Sequence, residues 1–179
     1  VGEGSVFWIE LGLTDERQDL AETHESATIA PLKLQDGEQT PTVLYVENNP
    51  ANLMLVEDLI ARRPDIKLLS ATNGNRGVEI ARADLPDMIL MDINLPGISG
   101  IQALKLLRED PATSYIPVVA LSGNAIPRDI RQGLGAGFFR YLTKPIKVNE
   151  FMDTLDATLE FAKRNRPDQT PAQPQEKKL

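Results

Sequence analysis

The stretch "VLYVENNP", residues 43–50, joins a short apolar run to an acid, two amides and a proline. Four consecutive uncharged residues before Glu47 are typical of a strand that is buried on both faces of a sheet. Pro50 favours the first turn of a helix, because proline lacks the amide hydrogen that a helix start leaves without a partner. The stretch therefore predicts a buried strand that ends at an acid and passes directly into a helix.

The same alternation of strand and helix continues through residues 42–164. Four more strand-like runs, each bounded by Gly, Pro, Asp or Asn, read "IKLLSA", "MILM", "PVVAL" and "FFRYL". Apolar residues recur at helical spacing after each run, and a short fourth helix carries Ile130 and Leu134. Five strand–helix repeats predict an α/β fold, in which a doubly wound parallel sheet of five strands carries five helices on its two faces.

The flanks of this region differ from it in composition. The 179 residues leave room for one domain of ordinary size plus extensions. Residues 1–13, "VGEGSVFWIELGL", contain a glycine turn and an apolar run, residues 14–41 are polar and predict a linker, and residues 165–179 have the composition of a disordered tail. The chain begins with Val1 and not with Met, so we expect a piece of a longer protein.

Composition narrows the classes of function. The chain has no cysteine, which excludes disulfides, thiolate zinc sites and thiol nucleophiles and fits a reducing cytoplasm. Its formal net charge of −7 disfavours non-specific nucleic-acid binding. No apolar run approaches the ~20 residues of a membrane helix. We therefore expect a cytoplasmic fragment that contacts neither nucleic acid nor membrane, with a membrane anchor elsewhere in the parent protein left open.

Polar side chains follow four of the five predicted strands, at the point where each strand ends. In chain order they are Glu47 with Asn48, Asp92, Ser122 and Lys144. Parallel sheets bind ligands at the carboxyl ends of their strands, so these side chains are expected to share one crevice. Such a crevice suits a hard cation, since Mg²⁺ prefers oxygen ligands, and a phosphoryl group, since lysine binds phosphate oxygens as a point charge. An isolated acid after a strand is ordinary loop, but the order and spacing of the whole set are specific.

Residues 42–164 resemble the receiver domain of two-component response regulators. The motifs that carry the resemblance are Glu47 in "VENN", "DINLPGISG" from Asp92, "ALSG" around Ser122, and "YLTKP" with Tyr141 and Lys144. The resemblance covers about two thirds of the chain. It implies a flavodoxin-like sheet with strand order 2-1-3-4-5.

The resemblance also implies chemical roles. Asp92 would take a phosphoryl group from a phosphohistidine on a kinase or phosphotransfer domain, and Lys144 would bind the phosphoryl oxygens. Mg²⁺ would be held by Glu47, Asn48, Asp92 and the backbone carbonyl of Asn94.

Two further residues would change position on phosphorylation. Ser122 would turn towards the phosphoryl group, and Tyr141 would follow it inward, which would alter the face formed by the fourth helix and the fifth strand. The resemblance also implies a cis peptide bond between Lys144 and Pro145.

Asn48 departs from the family pattern. The family usually has two acids at Glu47 and Asn48, and the second acid is a direct metal ligand. An amide oxygen can still bind the ion, but one negative charge is missing from its shell. We therefore expect Mg²⁺ binding to be weaker by at least about tenfold, with the nucleophile retained.

The N-terminal residues resemble a second family. "GEGSVFWIEL", within residues 1–13, is similar to the last glycine box and closing strand of the ATP-binding domain of sensor histidine kinases. This order of segments implies a hybrid sensor histidine kinase, whose present piece is a phosphoacceptor and not itself a kinase. The apolar run of residues 5–11 is expected either to be disordered or to dock on a neighbouring copy, which would give a homodimer.

Other interpretations of the sequence are weaker. A pseudo-receiver that signals without phosphorylation is supported by Asn48 alone. A phosphatase of the haloacid-dehalogenase type needs an acid two residues after its nucleophile, where this chain has Asn94. "GLGAG", residues 133–137, lacks the spacing of a dinucleotide-binding loop, and His24 lies in the predicted linker, not in a phosphoacceptor helix. A transcription factor is disfavoured, since no DNA-binding domain follows residue 164.

Overall fold

The structure is a computed structural model that describes residues 40–123 and 134–166. Five strands are present: β1 (Thr42–Val46), β2 (Lys67–Ala71), β3 (Met88–Asp92), β4 (Val118–Ser122) and β5 (Arg140–Thr143). Four helices alternate with them: α1 (Pro50–Ile60), α2 (Gly74–Asp84), α3 (Gly100–Glu109) and α4 (Val148–Asn165). The α/β alternation predicted from the sequence is therefore confirmed.

The five strands form one parallel sheet in the order β2-β1-β3-β4-β5. This is the order that the family resemblance implies. The chain runs outward in one direction from β1 to β2 and in the other from β3 to β5, so strand order reverses between β1 and β3. Ligand sites of such sheets lie at the carboxyl ends of the strands beside this reversal, and Glu47 and Asp92 are the residues found there.

Two apolar layers cover the two faces of the sheet. Successive strand residues point to opposite faces, so Leu44 and Val46 belong to one layer and Val43 and Tyr45 to the other. The first layer includes buried residues of α2 and α3, and the second includes buried residues of α1 and α4. The sheet is therefore doubly wound, as predicted.

The two edge strands differ from the expectation that every strand is buried on both faces. All five residues of β3 and of β4 are buried, whereas β2 exposes Lys67 and Ser70, and β5 exposes Arg140. An edge strand has a neighbour on one side only, so part of its surface stays in contact with solvent.

The helices that follow β1, β2 and β3 begin at side chains that accept a backbone hydrogen bond. Asn49 accepts one from the Ala51 amide at 2.9 Å, and Asn73 accepts one from Arg76 at 2.9 Å. Ser99 and Gln102 form a reciprocal capping box at the start of α3. These caps place each helix start close to the carboxyl edge of the sheet, where the polar residues gather.

Several predictions concern residues that the structure does not describe. Most of the helix predicted around Ile130 lies outside the described residues, as do residues 1–13 and almost all of the linker and the tail. Four of the five predicted helices are therefore seen. The Lys144–Pro145 peptide bond is cis, as predicted. No helix in the described ranges combines the length and apolar composition needed to cross a membrane.

Arg63 lies in the loop between α1 and β2 and connects this loop to α4. Its Nε and Nη2 donate to the two carboxylate oxygens of Asp65, both at 2.9 Å, and its Nη1 donates to Asp156 at 2.9 Å. The hydrogen bonds from Arg63 lower the pKa of Asp65 more than its partial burial raises it. The charged form of Asp65 is therefore favoured in the folded chain.

Asp65→Asn is expected to make the chain less stable by ~0.5–1 kcal/mol at neutral pH, as is usual for a partly exposed ion pair. Because the pKa of Asp65 is lower in the folded state, its contribution is complete above about pH 5 and disappears as the pH falls below ~3.9, the usual aspartate value. Urea unfolding at neutral and acidic pH measures this difference. Asp58→Asn, on the exposed side of α1, is the control. A difference between Asp65→Asn and the parent that is the same at both pH values would contradict the prediction.

Candidate functional site

Glu47 directly follows β1 and is fully buried. Its amide donates to the Ala71 carbonyl at 2.9 Å, which carries the pairing of β1 with β2 one residue further. Its Oε1 accepts the Asn49 amide at 3.0 Å, and its Oε2 accepts both the Tyr45 hydroxyl at 3.0 Å and Lys144 Nζ at 2.5 Å. Three donors thus surround one buried carboxylate.

Asp92 is the last residue of β3 and has 4% of its surface exposed. Its Oδ1 accepts the Asn94 amide at 3.0 Å, and its Oδ2 accepts Lys144 Nζ at 2.8 Å. Because β3 pairs with β1, the carboxylates of Asp92 and Glu47 reach the same lysine. The sequence prediction that these three residues share one site is correct.

Lys144 comes from the opposite half of the sheet, one residue after β5. Its amide donates to the Ser122 carbonyl at 2.7 Å, which fixes the start of the loop against β4. Burial alone would lower the pKa of Lys144, but the hydrogen bonds to Asp92 and Glu47 raise it overall. Burial likewise would raise the pKa of Glu47, yet the hydrogen bonds from Lys144, Asn49 and Tyr45 hold it below its usual range. An ammonium and an ionised Glu47 therefore face each other at neutral pH.

Ser122 and Tyr141 lie on the β4–β5 side of the site. Ser122 ends β4 and is buried, with 3% exposure. Tyr141 is half-buried in β5, packs against the core layer of α2 and α3, and lines an open cavity of about 620 Å³ between β5 and α4. The structure thus places Ser122 one strand away from Asp92 and puts Tyr141 further out on the face of β5.

The two amides after Glu47 have different surroundings. Asn49 caps α1 through its side chain, whereas Asn48 is exposed beside the buried acid. Within residues 40–123 and 134–166, no three His, Cys, Asp or Glu side chains form a cluster that could hold a metal ion. Asn94 is also exposed, with its amide bonded to Asp92.

Comparison with known proteins identifies the family of this chain. The family model of the response regulator receiver domain matches residues 43–156. The chain belongs to the response regulator receiver family. The polar-differentiation response regulator DivK of Brucella anthropi is 38% identical to it over 121 residues, which is 66% of this chain and 95% of that protein.

Solved receiver structures agree with this fold. The receiver domain of a sensor histidine kinase from Pseudomonas aeruginosa PAO1, which has a magnesium ion coordinated in its active-site cleft, is 30% identical with a TM-score of 0.62; the match covers 68% of this chain and 99% of that one. The receiver domain of a signal transduction histidine kinase from Syntrophus aciditrophicus is 25% identical with a TM-score of 0.63, covering 69% and 93%.

The oxygen atoms of this receiver fit a magnesium ion. Mg²⁺ is commonly held by one or two carboxylates, with waters and phosphate oxygens in the rest of its shell. Glu47 and Asp92 are two carboxylates that reach one ammonium group, so a divalent cation near that group would meet both. The amide oxygen of Asn48 and the backbone carbonyl of Asn94 are the further candidates.

Sequence reasoning missed two residues that shape the receiver site. Tyr45 was expected to be an ordinary strand residue, yet its hydroxyl bonds to Glu47. A signal was present, because residues two apart on a strand face the same side. Gly100 was also missed: its amide donates to the Ile93 carbonyl at 3.0 Å, and its α-carbon lies against the backbone of Asp92.

Gly100→Ala is expected to destabilise the receiver by ~1–3 kcal/mol, the usual cost of overpacking, and to slow any reaction at Asp92. A Cβ at this position would lie 2.3 Å from the Asp92 carbonyl oxygen and 3.0 Å from the Ile93 Cα. Both are backbone atoms, so relief of the contact would displace the loop that holds the Asp92 carboxylate. Urea unfolding measures the loss.

Gly135→Ala is the matched control for that experiment. A Cβ on Gly135 meets no atom within 4 Å, and Gly135 is helical, so alanine is expected to be neutral or slightly stabilising. Equal stability of the two alanine variants would show that a Cβ at position 100 is accommodated without a clash with the backbone of Asp92 and Ile93.

Proposed function

We propose that this receiver is a phosphoacceptor of a two-component phosphorelay, with Asp92 as the residue that is phosphorylated. The observation that carries the proposal is the partly buried lysine: Lys144 Nζ lies 2.8 Å from Asp92 Oδ2 and 2.5 Å from Glu47 Oε2. A cation held at the carboxylate that ends a central strand is placed where it can bind phosphoryl oxygens as they arrive.

The reaction that this arrangement supports is a phosphoryl transfer. A carboxylate oxygen of Asp92 attacks the phosphorus of a phosphohistidine, and the bond from phosphorus to the imidazole nitrogen breaks. The imidazole leaves with that electron pair and takes up a proton. The Lys144 ammonium donates a hydrogen bond to the phosphoryl oxygens, while Asp92 keeps its hydrogen bond from the Asn94 amide. A bound Mg²⁺ would supply charge neutralisation for the phosphoryl group.

The consequence of phosphorylation is proposed to be a change at the face that includes β5. Ser122 would turn towards the new phosphoryl group, and Tyr141 would move inward from its half-buried position. The cavity between β5 and α4 gives this face a concave surface that such a movement would reshape.

The wider context is also a proposal. The receivers from Pseudomonas and Syntrophus come from histidine kinases, which supports a hybrid sensor kinase as the parent of this chain. In that arrangement residues 1–13 are a remnant of the ATP-binding domain, residues 14–41 a linker and residues 165–179 a tail. The partner is a kinase or phosphotransfer domain that carries phosphohistidine in the cytoplasm. A homodimer through residues 1–13 is one of the two outcomes expected from the sequence, and light scattering with and without these residues tests it.

A pseudo-receiver is the second candidate, and Asn48 is the observation that favours it. In the described part of the chain Glu47 and Asp92 come together without a third acid. A receiver that binds Mg²⁺ too weakly would signal through protein contacts alone.

One experiment separates the two functions. The full chain is incubated with a small phosphodonor such as acetyl phosphate over a range of Mg²⁺ concentrations, and its intact mass is measured. A mass increase of one phosphate that survives acid and is lost in alkali supports the phosphoacceptor. An unchanged mass at every Mg²⁺ concentration would support the pseudo-receiver.

A further inference from the structure

A buried tyrosine hydroxyl lies directly behind the acid of the site. Tyr45 is fully buried in the core layer of α1 and α4, and its hydroxyl donates to Glu47 Oε2 at 3.0 Å. The partner of this hydroxyl is a carboxylate oxygen, which only accepts, so the tyrosine is the donor of the bond. A phenylalanine would fill the same space without reaching Glu47.

The three donors around Glu47 differ in whether they also bond to Asp92. Oε2 accepts two donors, the hydroxyl of Tyr45 and the ammonium of Lys144, whereas Oε1 accepts one, the amide of Asn49. A carboxylate oxygen has about two acceptor positions, so these donors fill Oε2 and leave Oε1 able to bind a cation. Lys144 is shared with Asp92, while Tyr45 and Asn49 donate to Glu47.

We propose that Tyr45 is a positioning residue, whose hydroxyl holds the buried Glu47 carboxylate in a cation-binding orientation while Lys144 turns to a phosphoryl group on Asp92. This inference rests on the proposed function for the movement of the lysine. Without the hydroxyl, Oε2 would have Lys144 as its one donor. The carboxylate would then either rotate when the lysine moves or keep the lysine from moving.

The experiment compares Mg²⁺ affinity by calorimetry in the unphosphorylated full chain and its Tyr45→Phe variant. The variant is expected to bind Mg²⁺ about tenfold more weakly, as is typical when a group that orients a metal ligand is removed. Tyr115→Phe is the control. Tyr115 is half-buried and precedes β4, so it lies at the amino ends of the strands, away from the site. An affinity of Tyr45→Phe within twofold of the parent overturns the proposal.

A second comparison separates positioning from packing. In a Lys144→Met background Oε2 depends on Tyr45 alone, so Tyr45→Phe is expected to weaken Mg²⁺ binding by clearly more than tenfold. A structural role of the tyrosine ring would give the same change in both backgrounds, and that result would overturn the proposal.

A measurement on the parent chain needs no variant. The Tyr45 hydroxyl proton is shielded from solvent, and its NMR signal is expected to shift on Mg²⁺ addition, since its acceptor then binds the cation. An unchanged signal at saturating Mg²⁺ overturns the proposal.

The outcomes distinguish this inference from the proposed function. A chain that is phosphorylated, with Mg²⁺ binding insensitive to Tyr45→Phe, rejects the role of Tyr45 alone. A chain whose Mg²⁺ affinity falls as expected but which never accepts phosphate rejects the phosphoacceptor and keeps Tyr45 as the residue that positions Glu47 for the cation. A parent chain that binds no Mg²⁺ at millimolar concentrations rejects the role of Tyr45.

Discussion

Asp92→Asn is expected to abolish phosphorylation of the chain by a small phosphodonor. The amide nitrogen and oxygen of asparagine are too weakly nucleophilic to form the acyl phosphate that a carboxylate forms. The fold should persist, because the amide oxygen of asparagine can still accept a hydrogen bond from one of the two donors, Lys144 or the Asn94 amide, and Lys144 keeps Glu47 as an acceptor. Intact-mass measurement after incubation with donor and Mg²⁺ gives the result directly.

The control for this variant is an aspartate outside the site. Asp58 is exposed on α1, so Asp58→Asn is expected to accept phosphate at the parental rate. A phosphate that still appears on the Asp92→Asn chain, with the same stability in acid and lability in alkali, would show that another carboxylate is the acceptor.

Asn48→Asp is expected to raise Mg²⁺ affinity by at least about tenfold, which corresponds to ~1.4 kcal/mol, and to speed phosphorylation. Two unit charges 4 Å apart interact by ~4 kcal/mol at an effective dielectric of 20, and hydration of the exposed side chain offsets much of this. The buried carboxylates of Glu47 and Asp92 already draw a cation to this edge of the sheet. A third acid would add charge next to them without changing the core.

Asn49→Asp is the matched control for the added charge. Aspartate caps a helix as well as asparagine does, so α1 should be unaffected. The new carboxylate would keep the bond to the Ala51 amide and point to the helix start instead of the site. Its Mg²⁺ affinity is therefore expected to rise much less. Equal affinity of Asn48→Asp and the parent, or equal gains from the two variants, would show that Asn48 does not face the metal.

Much of the fold could be predicted because local signals agreed with one another. The run "VLYV" followed by Asn49 and Pro50 predicted β1 and the start of α1, and the structure has both. The exposure of the edge strands could not be read in the same way. Strand β2 contains consecutive apolar residues, as its neighbours do. Its position at the edge depends on pairing across the whole sheet, which its own sequence does not indicate.

The candidate site could be predicted as a set of residues but not as a network. Their positions at strand ends brought Glu47, Asp92 and Lys144 together correctly. The double use of the lysine depends on distances between side chains at the ends of three different strands, which no sequence spacing encodes. The role of Asn49 as a helix cap explains one of the two amides in "VENNP". Asn48 is the other amide, and the family resemblance places it where an acid is usual.

The phosphorylated residue can be located chemically. Borohydride reduces an aspartyl phosphate to homoserine, which peptide mass mapping can place at a single position. After incubation with acetyl phosphate and Mg²⁺, we expect homoserine at position 92 and at no other aspartate. Homoserine at another position, or its absence from every peptide at saturating donor and Mg²⁺, would contradict the assignment of Asp92 as the phosphoacceptor.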